Sequence, residues 1–202
     1  MLVLAFVIAT AIPSARLPPI DQCRGDPSFV GFRAQLRRAV AARDERRLLR
    51  IVADDIHASL GGHVGKKDFI ELWGLGKGGD SRIWPELGEA LGLGCTMRDG
   101  LATIPSMEDQ IGDRDPFETR IALPGATLRA RPGASARALA RLDWHVLTLR
   151  GPWDGGRWLR VRLDDGRTGY VFEPMARSPI DYRAWFRKRD GRWVMEGFLA
   201  GD

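Results

Sequence analysis

The stretch WLRVRLDDGRTGYV, from Trp158 to Val171, alternates apolar and charged side chains up to an Asp-Asp-Gly-Arg turn and resumes beyond it. Successive side chains of a strand point to opposite sides. Leu159, Val161 and Leu163 therefore share one face, and Trp158, Arg160 and Arg162 the other. Asp164 to Arg167 forms the turn, where Gly166 supplies the positive φ that tight hairpins require. Thr168 to Val171 is the return strand. Working outward, the period of two begins at Phe117, with Ile121 and Leu123. Leu128 to Arg131 follows, Pro132-Gly133 turns the chain, and Trp144 to Leu149 reads as a further strand. Short strands spaced by turn signals predict a small all-β barrel over 117–178.

Two segments of this region, LRARPGAS (Leu128–Ser135) and WLRVRLDDGRTGYV (Trp158–Val171), resemble the bacterial SH3 (SH3b) family. That family opens with Leu-x-x-Arg-x-Gly and closes with Trp-x-x-Val, a polar Asp-Gly turn and Gly-Trp/Tyr-Val. Here Pro132 precedes Gly133, and both parts occur in the family's order. The resemblance implies an SH3-like barrel and recognition of cell-wall peptide or glycan. Enzymes with such domains usually pair them with a catalytic module, often a cysteine peptidase or an amidase.

The first half of the chain reads differently. Pro27-Ser28 looks like a helix start, and Phe29, Phe32, Leu36, Ala39 and Val40 recur in steps of three and four, predicting a helix that ends near Arg43. Asp44 is a cap for a second helix, with Leu48, Ile51 and Val52 facing inward. Ile56 to Leu60 alternates like a half-buried strand and stops at Gly61-Gly62. Lys66 to Trp73 predicts a third helix burying Phe69, Leu72 and Trp73; GLGKGGD (Gly74–Asp80) is a loop. Trp84, Leu87 and Leu91 mark a fourth helix, with Pro85 in its first turn. Leu93 to Met107 is a strand pair around Arg98-Asp99-Gly100.

After the barrel, Glu173 to Pro179 reads as a proline-bounded linker, and 181–198 as a hairpin turning at Arg189-Asp190-Gly191. An isolated two-stranded hairpin is marginal in water, so this one must dock on another element. The predicted class is α+β: N-terminal helices packed with a C-terminal hairpin, plus a small all-β SH3-like barrel. The expected division is a signal peptide at 1–15, an extended lead-in at 16–28, an α+β domain at 29–115 completed by 180–202, and the barrel at 117–178. The segments AVAARDERRLLRIVADD, GKKDFIELW and KRDGRWVMEGF faintly resemble the nuclear-transport-factor-like cone fold. That resemblance implies helices over a curved sheet, the barrel as an insertion, and Asp54, Asp55 and His57 as candidates for acid–base work in a cavity. The alternative is a small α+β domain with the hairpin packed on the barrel.

Location is read from the N-terminus. Leu2 to Ile8 is a short apolar run followed by small residues, which resembles a secretory signal peptide cleaved after Ala11 or Ala15; the alternative is a buried N-terminal strand. It falls short of the ~20 apolar residues a spanning helix needs, and no later segment is apolar enough to span a membrane. The expected location is periplasmic or secreted. Two cysteines, Cys23 and Cys95, then form either a disulfide or two unrelated buried thiols, and spacing alone does not choose.

The net charge is +5 and Arg supplies most of the positive charge. A positive field favours anionic partners. With no Lys/Arg block interleaved with aromatics and no reading motif, a nucleic-acid partner is not expected. The sequence has no Gly-x-Ser-x-Gly elbow and no His-Glu-x-x-His helix, and its Gly-rich loop lacks the Gly-Lys-Ser/Thr ending. A Cys–His nucleophile needs the imidazole beside the thiol, and Cys95 follows a helix rather than starting one. No enzyme activity, cofactor or metal is therefore expected. Of the aromatics Trp144, Trp153, Trp158, Tyr170 and Phe172, the candidate ligand-binding set is Trp144, Trp158 and Tyr170 with Arg160 and Arg162. A rigid ring beside a guanidinium stacks on a sugar or peptide and pairs with a carboxylate. The expected partner is peptidoglycan or an envelope protein; the alternative is a small-molecule-binding or enzymatic cone domain with the barrel as accessory.

Overall fold

The computed structural model describes residues 13–76, 80–151 and 155–201. The apolar run Leu2–Ile8, the cleavage candidate Ala11 and Trp153 lie outside them. In chain order the helices are α1 (Pro27–Ala41), α2 (Glu45–Ile51), α3 (Lys66–Leu72), α4 (Ile83–Gly92) and α5 (Met107–Gln110). The strands are β1 (Val52–His57), β2 (Thr96–Arg98), β3 (Leu101–Ile104), β4 (Thr119–Ala122), β5 (Thr127–Arg129), β6 (Ala138–Arg141), β7 (Val146–Leu149), β8 (Trp158–Arg162), β9 (Thr168–Phe172), β10 (Ala176–Arg177), β11 (Arg183–Arg189) and β12 (Arg192–Leu199). Helices and two sheets make the class α+β. The described residues form two compact units, one within 19–117 and 179–201, the other within 13–18 and 118–178.

In the first unit the sheet order is β1-β12-β11-β3-β2, with β1 parallel to β12 and the other neighbours antiparallel. The C-terminal hairpin therefore occupies the interior of this sheet. Asp26 starts α1 by accepting the N–H groups of Ser28 and Phe29, and Pro27 fits the first turn, where its missing N–H has no intrahelical partner to lose. The helix then lays Phe29, Leu36, Ala39 and Val40 inward. The Phe29 ring meets Trp193 edge-on at 4.8 Å and Phe186 at 5.8 Å, and the Trp193 indole N–H donates to the Ser28 hydroxyl at 3.0 Å. Burying a side chain such as Phe29 contributes about 1.5–3 kcal/mol. Cys23 and Cys95 form a disulfide with Cα atoms 5.7 Å apart. Beside it, Gly94 lets the backbone of Ile20 approach: an added Cβ would lie 2.3 Å from the Ile20 carbonyl oxygen.

Three local expectations are corrected here. Val52, read as an inward residue of α2, instead begins β1 and pairs with Met195. The strand predicted at Ile56–Leu60 thus runs earlier, over Val52–His57, and carries Asp54 and Asp55. The β-branched pair Ile51-Val52 suits either state, and parallel pairing with β12 decides for the strand. Leu72 is 50% exposed, because seven residues of α3 turn only Phe69 fully inward, and Trp73 follows at the helix end.

In the second unit the order is β10-β4-β7-β8-β9-β5-β6, all antiparallel. Leu128, Leu147, Leu159, Val161, Leu163 and Val171 fill its core. Pairing does not close the sheet into a ring: β10 and β6 are its two edges. The segment read as a linker after Phe172 is structured. Glu173–Met175 is a 3-10 turn, and Ala176–Arg177 is β10, paired with β4. Trp144, expected at the start of a strand, precedes β7 with φ at +56°. Its carbonyl oxygen accepts the Leu17 N–H and its own N–H donates to the Ala122 carbonyl oxygen, both at 2.8 Å. Arg16 bridges His145, so Ala15–Leu17 belongs with this unit rather than with a lead-in to α1.

Candidate functional site

The solvent face of the β8–β9 hairpin is set by its register. Trp158 stands opposite Phe172, Arg160 opposite Tyr170, and Arg162 opposite Thr168. Directly opposed residues of an antiparallel pair project to the same side. Leu159 and Val161 are buried, while Trp158 is half-buried and Arg160 and Arg162 are exposed. The glycine of the Gly-Tyr-Val motif holds the next strand close: a Cβ on Gly169 would sit 2.6 Å from the Arg129 carbonyl oxygen and 2.9 Å from the Leu128 side chain. This approach lets β5 pair with β9, Arg129 opposite Tyr170, and brings a third guanidinium to the face.

At one end of this face lies a groove of about 510 Å³, walled by Trp158 and Phe172 and bounded by Met175, Thr127, Arg129 and Arg157. The Trp158 and Phe172 rings are 5.5 Å apart, tilted by 53°. The Arg157 guanidinium lies 5.1 Å from the Phe172 ring centroid, a cation–π distance. Arg129 is fixed by donating to the Ala136 carbonyl oxygen at 2.7 Å. Arg160 and Arg162 have no side-chain partner among the described residues. The arrangement offers two apolar ring walls with cationic groups at their margins, which suits a ligand carrying a planar or sugar-like body and an anionic group.

No protein-family model, curated protein or solved structure matches this chain. The functional reading therefore rests on its own geometry. Of the residues singled out from the sequence, Trp158, Arg160, Arg162 and Tyr170 share the face, and Trp158 alone among them lines the groove. Trp144 does not join them; it lies before β7, against Leu17 and Ala122. Sequence reasoning left out Phe172, Arg129 and Arg157 as site residues. Phe172 follows Tyr170 by two positions, so alternation alone places it on the same face. Arg129 is supplied by the β5–β9 pairing, which no local pattern announces.

The other candidates are dispersed. Cys95 is bonded to Cys23, so its sulfur is not a thiol. Asp55 is paired with Arg189 at 2.6 Å, and that hydrogen bond holds its carboxyl below the usual carboxylate range. Asp54 pairs with Lys66 at 3.0 Å, and His57 is exposed at the end of β1. Asp21 lies near both cysteine sulfurs, but the sulfurs are spent in the disulfide and its carboxylate takes a two-pronged contact from Arg33 at 2.7 and 2.8 Å. Among the described residues no helix is long and apolar enough to cross a membrane.

A second cavity lies in the first unit, about 590 Å³, bounded by Ser59, Glu71, Trp73, Arg82, Tyr182 and Leu199 among others. The Trp73 ring stacks on Phe198 at 5.1 Å and meets Tyr182 at 5.1 Å. The Trp73 indole N–H is buried and has no hydrogen-bond partner among the described residues.

Proposed function

We propose that the protein is an exported, non-catalytic binding protein of the cell envelope, in which the 118–178 unit is an SH3-like module that recognises cell-wall peptide or glycan, or an envelope protein displaying similar groups. The observation that carries this reading is the adjacent ring pair Trp158 and Phe172, with Arg129 and Arg157 at the rim of one groove. Rings of this kind present large contact area at low conformational cost, and guanidinium groups pair with carboxylates in a two-pronged geometry. The SH3-like reading is supported by where its two motif segments fall: one overlaps β5 at Leu128 and Arg129, the other covers the β8–β9 hairpin up to Val171, and the two meet at Arg129 and Tyr170. Export is supported by the disulfide, since such bonds persist in oxidising compartments.

The test is co-sedimentation with purified peptidoglycan sacculi at low salt. Retention by the intact protein, lost in Trp158→Ala and reduced in Arg129→Gln, is the expected result. Equal retention of Trp158→Ala, with an unchanged melting temperature, removes the groove from the reading.

The second reading, a small-molecule-binding cone domain with the SH3-like module as accessory, is favoured by the cavity at Trp73 and Tyr182. A buried donor without a partner is unfavourable by about 1–3 kcal/mol, and a ligand acceptor would relieve it. A thermal-shift screen of small polar aromatics against the intact protein and Tyr182→Ala tests it; no stabiliser that depends on Tyr182 counts against it.

A further inference from the structure

Helices α1 and α2 form a cleft of about 470 Å³ whose chemistry differs from that of the groove. Its floor is apolar, made by Phe32 and Leu36 of α1 and Ile51 of α2, and its rim carries Arg38, Arg47 and Arg50. No acidic side chain lines it among the described residues. The segment 27–51 holds seven arginines against two acids. Of the arginines outside the lining, three are engaged: Arg33 with Asp21, Arg37 with the Leu91 carbonyl oxygen, and Arg43 with Asp80. Arg47 touches Asp44 at 3.1 Å, which also caps α2. Arg38 and Arg50, together with Arg46 on the same helix pair, have no side-chain partner among the described residues.

Solvated arginines on a helix face are ordinary. Guanidiniums from two helices around an apolar depression are not, because both the charge and the floor are then left uncompensated at one place. We propose that this cleft binds a phosphate group carried on an apolar body, the chemistry of an anionic phospholipid or of a free organophosphate. Arg38 and Arg50 take the phosphate oxygens, a match of planar donor fork to tetrahedral oxyanion that lysine does not reproduce. Phe32, Leu36 and Ile51 take the adjoining hydrocarbon. The cleft volume falls in the range of small-ligand sites, about 300–1,000 Å³. A bare inorganic anion would satisfy the rim and leave the floor wet, so an amphipathic ligand is the better occupant.

The experiment uses the full chain at about 0.1 M salt, where the Debye length is about 10 Å and diffuse attraction is screened. One arm is flotation with phosphatidylcholine vesicles, with and without phosphatidylglycerol. A second is calorimetric titration with dihexanoyl phosphatidic acid below its micelle concentration, and a third is titration with inorganic phosphate. The reference variants are Arg38→Gln/Arg50→Gln and, as a control for net charge, Arg137→Gln/Arg141→Gln on the other unit. Binding in the first or second arm that weakens roughly fivefold per arginine in the cleft variant, and not in the control, supports the site. Binding to vesicles alone identifies bilayer lipid as the source; binding of the short-chain lipid as well identifies a free ligand. No binding in either arm, equal weakening in both variants, or inorganic phosphate binding as tightly as the short-chain lipid overturns the proposal. Melting temperatures of both variants within the range of the parent exclude misfolding as the cause.

Discussion

The N–H of Val146 donates to the carbonyl oxygen of Ala15 at 2.9 Å, while the N–H of Ala15 donates to Oδ2 of Asp164 at 3.2 Å. Ala15 is thus stitched to two places in the unit that its own chain reaches only far downstream. Cleavage after Ala15 would remove both bonds, whereas cleavage after Ala11 keeps them. Each net backbone bond contributes about 0.5–1.5 kcal/mol. On the export proposed above, the expected N-terminus after cleavage is Ile12, read by intact-mass measurement of material from the periplasm or medium. A mature chain beginning at Arg16 would contradict this.

His145 sits beside that stitch. Burial, followed by the nearby Arg16 guanidinium, pushes its imidazole below the ordinary histidine value. The Asp143 N–H donates to its Nδ1 at 2.9 Å, which fits a neutral ring. The sign follows from linkage. Above about pH 6.5 the ring is neutral in both folded and unfolded chains, and stability is indifferent to it. Below that value the unfolded chain takes up a proton that the folded chain resists, so stability falls as the solution is acidified. Histidine ring NMR should place the His145 midpoint below the ordinary histidine value. His145→Gln should flatten the part of the stability profile between pH 7 and the folded midpoint. A midpoint at or above the ordinary value refutes the assignment.

Gly169 is required by crowding, not by a left-handed backbone. Replacing it with Ala drives a methyl group into the Arg129 carbonyl and Leu128. Overpacking of this kind is unfavourable by about 1–3 kcal/mol. Hydrogen-exchange mass spectrometry of Gly169→Ala should show faster exchange across β5, β8 and β9, with β11 and β12 unaffected. Uniform exchange in both variants would show that the strands have room to spare.

The Cys23–Cys95 bond closes a loop of 72 residues in sequence separation. In the chain-entropy view such a closure contributes about 4 kcal/mol. Denaturant unfolding of the first unit should lose that much free energy, seen as a lower midpoint at unchanged slope, with reductant or in Cys23→Ala/Cys95→Ala. An unchanged midpoint would mean that the anchoring of Gly94 against Ile20 already confines the segment.

What the sequence revealed and what it hid divide along the range of the interactions. The β8–β9 hairpin was legible because its period and its turn are local, and Leu159, Val161 and Leu163 are buried as alternation requires. α1 was legible for the same reason, from its cap and its apolar stripe. The junction of α2 and β1 was not. Arg50-Ile51-Val52-Ala53 carries no stop signal, and its conversion to strand depends on β12, near the opposite end of the chain. The groove followed the same rule. Trp158 could be placed from its own strand, but Arg129 arrives through β5, and the α1–α2 cleft exists only once two helices are set side by side.

The interior of the five-stranded sheet is assembled from β11 and β12, which follow the whole 118–178 segment in the chain. Among the described residues β1 has β12 as its neighbouring strand, and β3 meets β11 on the side away from β2. During translation, or passage through a translocation pore, both strands emerge well before their partners and must wait while the whole 118–178 segment follows. Domains generally fold as units, and exposed strand edges invite pairing with other chains. The inserted module can therefore mature while its host is still an unfinished sheet with open edges, and a holdase acting on this protein has its clearest target in that interval.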